Sequence, residues 1–215
     1  MEVGLVCVFS SDPHVRAHVD HMAKRMVAIE HSTRDGFDSP PIALRARIAP
    51  WINQPFAYDP ATQTHLILLG HAWLSCQEIN ADTLLQHFLS DGQAALTCLG
   101  GSFAFLIWQP YTQTLQVVTD RLSTKKIYIW RSAEGATLLA TELLALLGHP
   151  EAPREIDPVA VEQFLITSHL IDCRSLIRDV QILPPGTITH IDHSGLSFYS
   201  YWTPRIEPAH DNGLN

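Results

Sequence analysis

Residues 100–129 read GGSFAFLIWQPYTQTLQVVTDRLSTKKIYI. Two apolar runs, GSFAFLIW (101–108) and TLQVVTD (114–120), flank QPYTQ (109–113), which has the composition of a turn. Aromatic and β-branched residues fill both runs, so this spacing predicts a β-hairpin. A second pair follows: KIYIW (126–130) and ATLLAT (136–141) flank the polar turn RSAEG (131–135). A third, TITHI (187–191) and LSFYSYW (196–202), is joined by DHSG and preceded by the turn LPPG (183–186). Strands joined by turns this short pair antiparallel.

The N-terminal half carries both strands and helices. MEVGLVCVFS (1–10) reads as a buried strand, with Val3, Leu5 and Cys7 on one face and Val6 and Val8 on the other. Asp12-Pro13 has the form of a helix cap followed by proline at the first helical position. Val15, Val19, Met22, Met26 and Ile29 then make one apolar stripe. STRDGFDSPP (32–41) reads as a loop, and IALRARIAPW (42–51) and THLILLGHAW (64–73) as strands. Asn80 caps a predicted helix, ADTLLQHFLSDG, that Gly92 ends. TELLALLG (141–148) predicts two helical turns, and Asp157-Pro158 opens a further helix, VAVEQFLITSHL. PRIEPAHDNGLN (204–215) reads as an unpacked tail. Antiparallel hairpins with helices grouped beside them indicate the α+β class with layered sheets.

The chain has 215 residues, 46% of them apolar, enough for one large domain or two small ones. Its net charge of −8 argues against a nucleic-acid partner. No run reaches the ~18 apolar residues of a membrane helix. No basic segment precedes the apolar N-terminus, as a secretory signal requires. Cys7, Cys76, Cys98 and Cys173 are far apart and form no CxxC, which fits reduced thiols in a cytoplasm.

Several clusters carry residues capable of chemistry. His14, His18 and His21 share one side of the first helix, but no HExxH-type carboxylate accompanies them, so a solvated face is expected there. LGGSF (99–103) lacks the later glycine and lysine of phosphate-binding loops, and its glycines are expected to permit tight entry into the next strand. Asp120-Arg121, followed by Ser123, Thr124, Lys125 and Lys126, reads as an internal ion pair beside a turn rather than an anion site. No serine or cysteine occupies a nucleophile elbow.

The 100–129 stretch resembles the G-x-F-A-F-x-x-W-D … R-D-R-x-G-x-K-P-L-Y-Y signature of class II glutamine amidotransferase domains, in the form found in the asparagine synthetase family. ATELLALL (140–147) resembles that family's A-S-E-x-K-A-L-L, and LPPGTITHI … YSYWTP its L-P-P-G-H … Y-W-x-P. These matches keep their order from Gly100 to Pro204. Residues before them match more weakly, with RDGFDS (34–39) a worn form of H-R-G-P-D-D-S-G. The resemblance implies an Ntn-hydrolase-like four-layer αββα sandwich of two antiparallel sheets. It implies an amidotransferase-like domain over residues 1–204, with 205–215 leading toward a synthetase domain.

In that family a cysteine exposed at the start of the first strand attacks the glutamine amide. Aligning Gly4 with the glycine of M-C-G-I places Val3 in the cysteine's position, so no catalytic residue is carried over. Glu2 is too bulky for ordinary removal of the initiator Met1. Cys7 faces the same side as Val3 but lies about 13 Å along the strand, at ~3.3 Å per residue. Arg47 matches the family's substrate arginine, and Leu69-Gly70-His71 falls on its Asn-Gly-Glu; leucine offers no oxyanion donor. The resemblance thus implies a glutaminase-inactive domain of an ATP-dependent amide-bond-forming ligase. Relatives lacking the cysteine include β-lactam synthetases and lasso-peptide macrolactam cyclases. No cofactor is expected in this chain. ATP and magnesium are expected in a synthetase domain or partner subunit, with a peptide or small carboxylate as substrate. The alternatives are an active glutamine amidohydrolase of a glutamine-hydrolysing asparagine synthase, using Cys7; a pure interaction module; and a metal-binding histidine helix.

Overall fold

A computed structural model describes residues 3–28 and 30–205. The chain runs β1 (Val3–Phe9), α1 (Val15–Ala23), β2 (Thr33–Ser39), β3 (Ile42–Ile48), β4 (Phe56–Asp59), β5 (Thr64–Leu74), β6 (Gln77–Ile79), α2 (Ala81–Asp91) and α3 (Ala94–Thr97). It continues through β7 (Leu99–Gln109), β8 (Thr114–Thr119), β9 (Tyr128–Arg131), β10 (Thr137–Ala140), α4 (Leu143–Leu146), α5 (Pro158–Thr167), β11 (Gln181–Ile182), β12 (Thr187–Asp192) and β13 (Gly195–Ser200).

The strands form two antiparallel sheets. The first has the order β11-β9-β10-β1-β3-β2, the second β13-β12-β8-β7-β5-β4 with β6 added to β5. Alternation along β1 explains how the sheets stack. Val3, Leu5, Cys7 and Phe9 join Leu69, Ala104, Leu106 and Trp108 of the second sheet in one core. Val6 and Val8 face the other way, toward Val15, Val19 and Met22 of α1 and Ala145 and Leu146 of α4. On the far side, Leu84, Leu85 and Phe88 of α2 cover Leu66, Leu68 and Phe105. The layers are therefore α, β, β, α, as the resemblance implied. A strand buried on both faces needs the near-continuous apolar run that β1 supplies.

Most boundaries follow the predicted signals. Asn80 accepts a hydrogen bond from the Thr83 N–H at 2.9 Å, and Asp157 accepts one from Val159 at 3.0 Å. Such caps contribute ~1 kcal/mol each. Four expectations need correction. The stretch 32–41 contains the edge strand β2, paired along its length with β3. An edge strand bonds a neighbour on one side only, so turn-forming polar residues are tolerated there. Helix α1 starts two residues after Pro13, because Asp12 accepts from the His14 N–H at 2.7 Å and holds a turn. It also ends at Ala23 rather than Ile29, which lies outside the described residues: the Val27 N–H is drawn to the Glu142 carboxylate at 2.8 Å. Met26 still packs in the same core. The helix expected over 141–148 is the single turn α4, with Gly148 against Met22, where a Cβ would come within 2.9 Å of the Met22 Cα. Strands β4 and β6 were not foreseen. Of the expected tail, residues 206–215 lie outside the described residues.

Asp120 ties the second sheet together. Its carboxylate, 2% exposed, accepts from the backbone N–H groups of Phe103, Leu122 and Thr124 at 3.0, 2.8 and 3.2 Å, and from the Thr124 hydroxyl. Its carbonyl accepts from Gly186 at 2.8 Å. Next to it, the Thr119 hydroxyl donates to the Pro184 carbonyl at 2.6 Å, and the Tyr201 hydroxyl donates to the Thr119 carbonyl at 2.7 Å. The 100–129 stretch, the LPPG turn and the YSYW segment thus hold one another. Asp120→Ala strands a buried Phe103 N–H and is predicted to cost about 3 kcal/mol, read as a lower urea midpoint at unchanged slope.

Candidate functional site

The side chain of Val3 lies in the inter-sheet core, 5% exposed, at the open end of β1. It pairs across the backbone with Ile48, while its neighbour Gly4 pairs with Arg47. Alternation puts Arg47 on the opposite face of the first sheet from Val3. Arg47 is 7% exposed, and its Nε finds no hydrogen-bond partner among the described residues. Leu69, 2% exposed, sits in the same core as Val3 and pairs with Ala104. The structure therefore brings Val3 and Leu69 into one hydrocarbon layer and leaves Arg47 outside it.

Gly70 has φ +85°, and a Cβ there would run into the Ser102 carbonyl oxygen and the Lys125 side chain. Glycine is thus the residue this position demands. Gly101 (φ +120°) answers it on β7, where a Cβ would strike the His71 carbonyl oxygen. The glycines of LGGSF are accordingly set by close strand approach within the sheet. Beside Gly70 opens a cleft of about 540 Å³, whose lining includes Trp51, Asn53, His71, Glu78 and Asn80. His71 Nδ1 meets Glu78 Oε1 at 2.5 Å across the β5–β6 hairpin. Sequence reasoning missed this pair because β6 was unforeseen, so nothing placed Glu78 opposite Trp73 and diagonal to His71.

Cys7 is fully buried in the inter-sheet core, on the same face as Val3. Burial pushes its thiol far above the ordinary range, which removes the thiolate that nucleophilic attack requires. All four cysteines are free thiols, with Cys76 and Cys98 exposed. The Asp120 carboxylate is engaged as described above, and Arg121 turns away to lie 5.9 Å over the Trp202 ring. No ion pair links the two among the described residues.

These features accompany a direct relationship. Residues 61–202 match the model of a glutamine amidotransferase domain. The chain belongs to this family. Asparagine synthetase [glutamine-hydrolyzing] 3 of Bacillus subtilis (strain 168) is 22% identical over 135 residues, 62% of this chain and 22% of that protein. The amidotransferase domain thus spans about a fifth of that curated relative's length. Among solved structures, the allosteric regulatory enzyme of purine biosynthesis superposes with TM-score 0.56 over 94% of this chain and 49% of that one, at 12% identity. The glutamine phosphoribosylpyrophosphate amidotransferase of B. subtilis, complexed with ADP and GMP, gives 0.55 over 94% and 50%, also at 12% identity. At that identity the two structures establish the fold: an Ntn-hydrolase-like α+β sandwich. No helix among the described residues is long and apolar enough to cross a membrane.

Among the histidines of α1, His18 is engaged by other groups. His18 Nδ1 lies 3.6 Å from Asp12, and its ring meets that of His149 edge-on at 4.6 Å. Among the described residues no three His, Cys, Asp or Glu side chains converge as a metal site. His149 is 2% exposed, and its Nδ1 accepts from the Glu151 N–H at 3.3 Å, which fixes the proton of the neutral ring on Nε2. Burial, then the nearby His18, lower its pKa to about 4, with Asp12 opposing. The depressed pKa means that the folded state binds this proton less readily than the unfolded chain. Stability is therefore complete above pH ~6.5 and is lost as pH falls toward ~4, by on the order of 3 kcal/mol from this residue. His149→Gln is predicted to flatten that slope in urea melts taken across the same interval.

Proposed function

We propose that this amidotransferase domain is glutaminase-inactive. We propose further that it serves an asparagine-synthetase-type, ATP-dependent ligase that forms amide bonds with an amine carried by its own substrate, as in β-lactam synthetases and lasso-peptide cyclases. The domain acts as a scaffold and contacts the peptide or small carboxylate substrate. ATP and magnesium act on a companion synthetase domain or subunit, which adenylates the carboxylate. The setting is a reducing cytoplasm, consistent with four free thiols.

One observation carries this reading. The positions aligned with the family's nucleophile and oxyanion donor, Val3 and Leu69, are both packed into the inter-sheet core. Hydrocarbon at the first position supplies no attacking atom. At the second it forgoes a donor that stabilises an oxyanion by ~3 kcal/mol, about a hundredfold in rate. Arg47, on the opposite face of its sheet, is not aimed into the layer that holds Val3. The cleft beside Gly70 survives as a shape in which substrate can be held.

A second reading, an active glutamine amidohydrolase, is favoured by the B. subtilis relative, whose name describes a glutamine-hydrolysing synthetase. It requires another nucleophile, and Cys7 shares the face of Val3. The two readings part on exposure of the native protein to an electrophilic glutamine analogue. Peptide mass spectrometry is predicted to find Cys7 unmodified under conditions where iodoacetamide labels Cys76 and Cys98. Stoichiometric adduct on Cys7, blocked by glutamine, contradicts the inactive reading.

A further inference from the structure

Helix α5 is apolar on nearly every side, yet it is largely uncovered. Of its ten residues only Ala160 is buried, and the single charge is Glu162. Val159, Phe164, Leu165 and Ile166 are 45, 49, 76 and 74% exposed. At ~100° per residue, Val159 and Ile166 lie together on one flank of the Ala160 contact, and Leu165 lies on the other. Glu162 points outward between them. A helix apolar all round belongs in an interior, and an exposed patch of this kind marks an interaction site.

The helix is firmly mounted. Asp157 at its start pairs with Arg174 at 2.9 Å, and the Arg178 N–H donates to the Glu155 carbonyl at 2.8 Å. The Ile182 N–H donates to the Cys173 carbonyl at 2.7 Å, so the lobe hangs from β11 at the edge of the first sheet. A few residues on, the Gly186 carbonyl accepts from Tyr201 at 2.9 Å and Trp202 at 3.3 Å, near the end of the described chain. The exposed helix and that end are thus attached to the same short segment, 181–186.

We infer that α5 is the docking element for the companion synthetase domain or subunit, received in an apolar groove that carries a basic group opposite Glu162. This inference rests on the ligase reading above. Three observations favour that occupant. Apolar residues on both flanks of one helix require a groove that wraps it rather than a flat contact. The net charge of −8 opposes an anionic membrane. The matched stretch also covers only 22% of the B. subtilis relative, and this chain matches about half of each structural neighbour, so in all three the matched region stands beside further polypeptide.

The experiment pairs the purified chain with the asparagine-synthetase-type synthetase polypeptide of its own genome, encoded in frame or as a neighbouring gene. Hydrogen exchange of the unmutated complex is expected to show slowed amides over 158–167. Leu165→Asp and Ile166→Asp are expected to weaken binding about thirtyfold or more, while Tyr111→Asp, at the exposed β7–β8 turn, binds like wild type. Unfolding midpoints report whether each variant remains folded, and the exchange result stands without any mutation. Absence of a complex, unchanged exchange over α5, wild-type binding by both variants, self-association that Leu165→Asp abolishes, or capture by phosphatidylserine vesicles each overturns the inference. Protection confined to other surfaces sinks the docking role and leaves the ligase reading standing. Protection of α5 in a complex that forms no amide with ATP does the reverse.

Discussion

The contact between the two sheets governs the rest of this structure. β1 is interior to its sheet, between β10 and β3, and contributes Val3, Leu5, Cys7 and Phe9 to the shared layer. Opposite it stand Leu69, Ala104, Leu106 and Trp108. The valine, leucine and phenylalanine side chains among them contribute ~1.5–3 kcal/mol each when withdrawn from water. The layer is mostly hydrocarbon, but alternation also places the buried hydroxyls of Thr137 and Thr189 in it, and neither finds a hydrogen-bond partner among the described residues. Trp108 has its indole N–H satisfied at the margin, by the Ser39 hydroxyl at 2.9 Å.

In this architecture the reactive position and the core are adjacent. A family member that exposes a nucleophile at the start of β1 must keep polar atoms and water there at the expense of packing. Here valine and leucine extend the core to that end of the sandwich. The burial that stabilises β1 also suppresses the Cys7 thiolate. Around Gly70 the backbone remains constrained, with two positive-φ glycines fitting β5 against β7.

Much of this was legible in the residues. Period-two patterning assigned the faces of β1 correctly, and the turns QPYTQ, RSAEG and DHSG marked the β7–β8, β9–β10 and β12–β13 hairpins. Asn80 and Asp157 announced their helices because a cap is a local interaction. What stayed hidden depended on distant partners. STRDGFDSPP looks like a loop until β3 supplies a neighbour, and α1 stops early because Glu142, more than a hundred residues away, claims the Val27 N–H. Alignment marked Arg47 as a substrate residue, yet only the register with Gly4 reveals which face it takes. The His71–Glu78 pair needed the unforeseen β6.

Ammonia release is the direct test of whether hydrocarbon has replaced the glutaminase chemistry. The intact, purified protein is incubated with glutamine, with and without its synthetase companion and ATP, and free ammonia is followed by a coupled assay. The account predicts no glutamine-dependent ammonia above the protein-free rate in either condition. Catalytic turnover that scales with protein concentration and disappears on Cys7→Ala would contradict it.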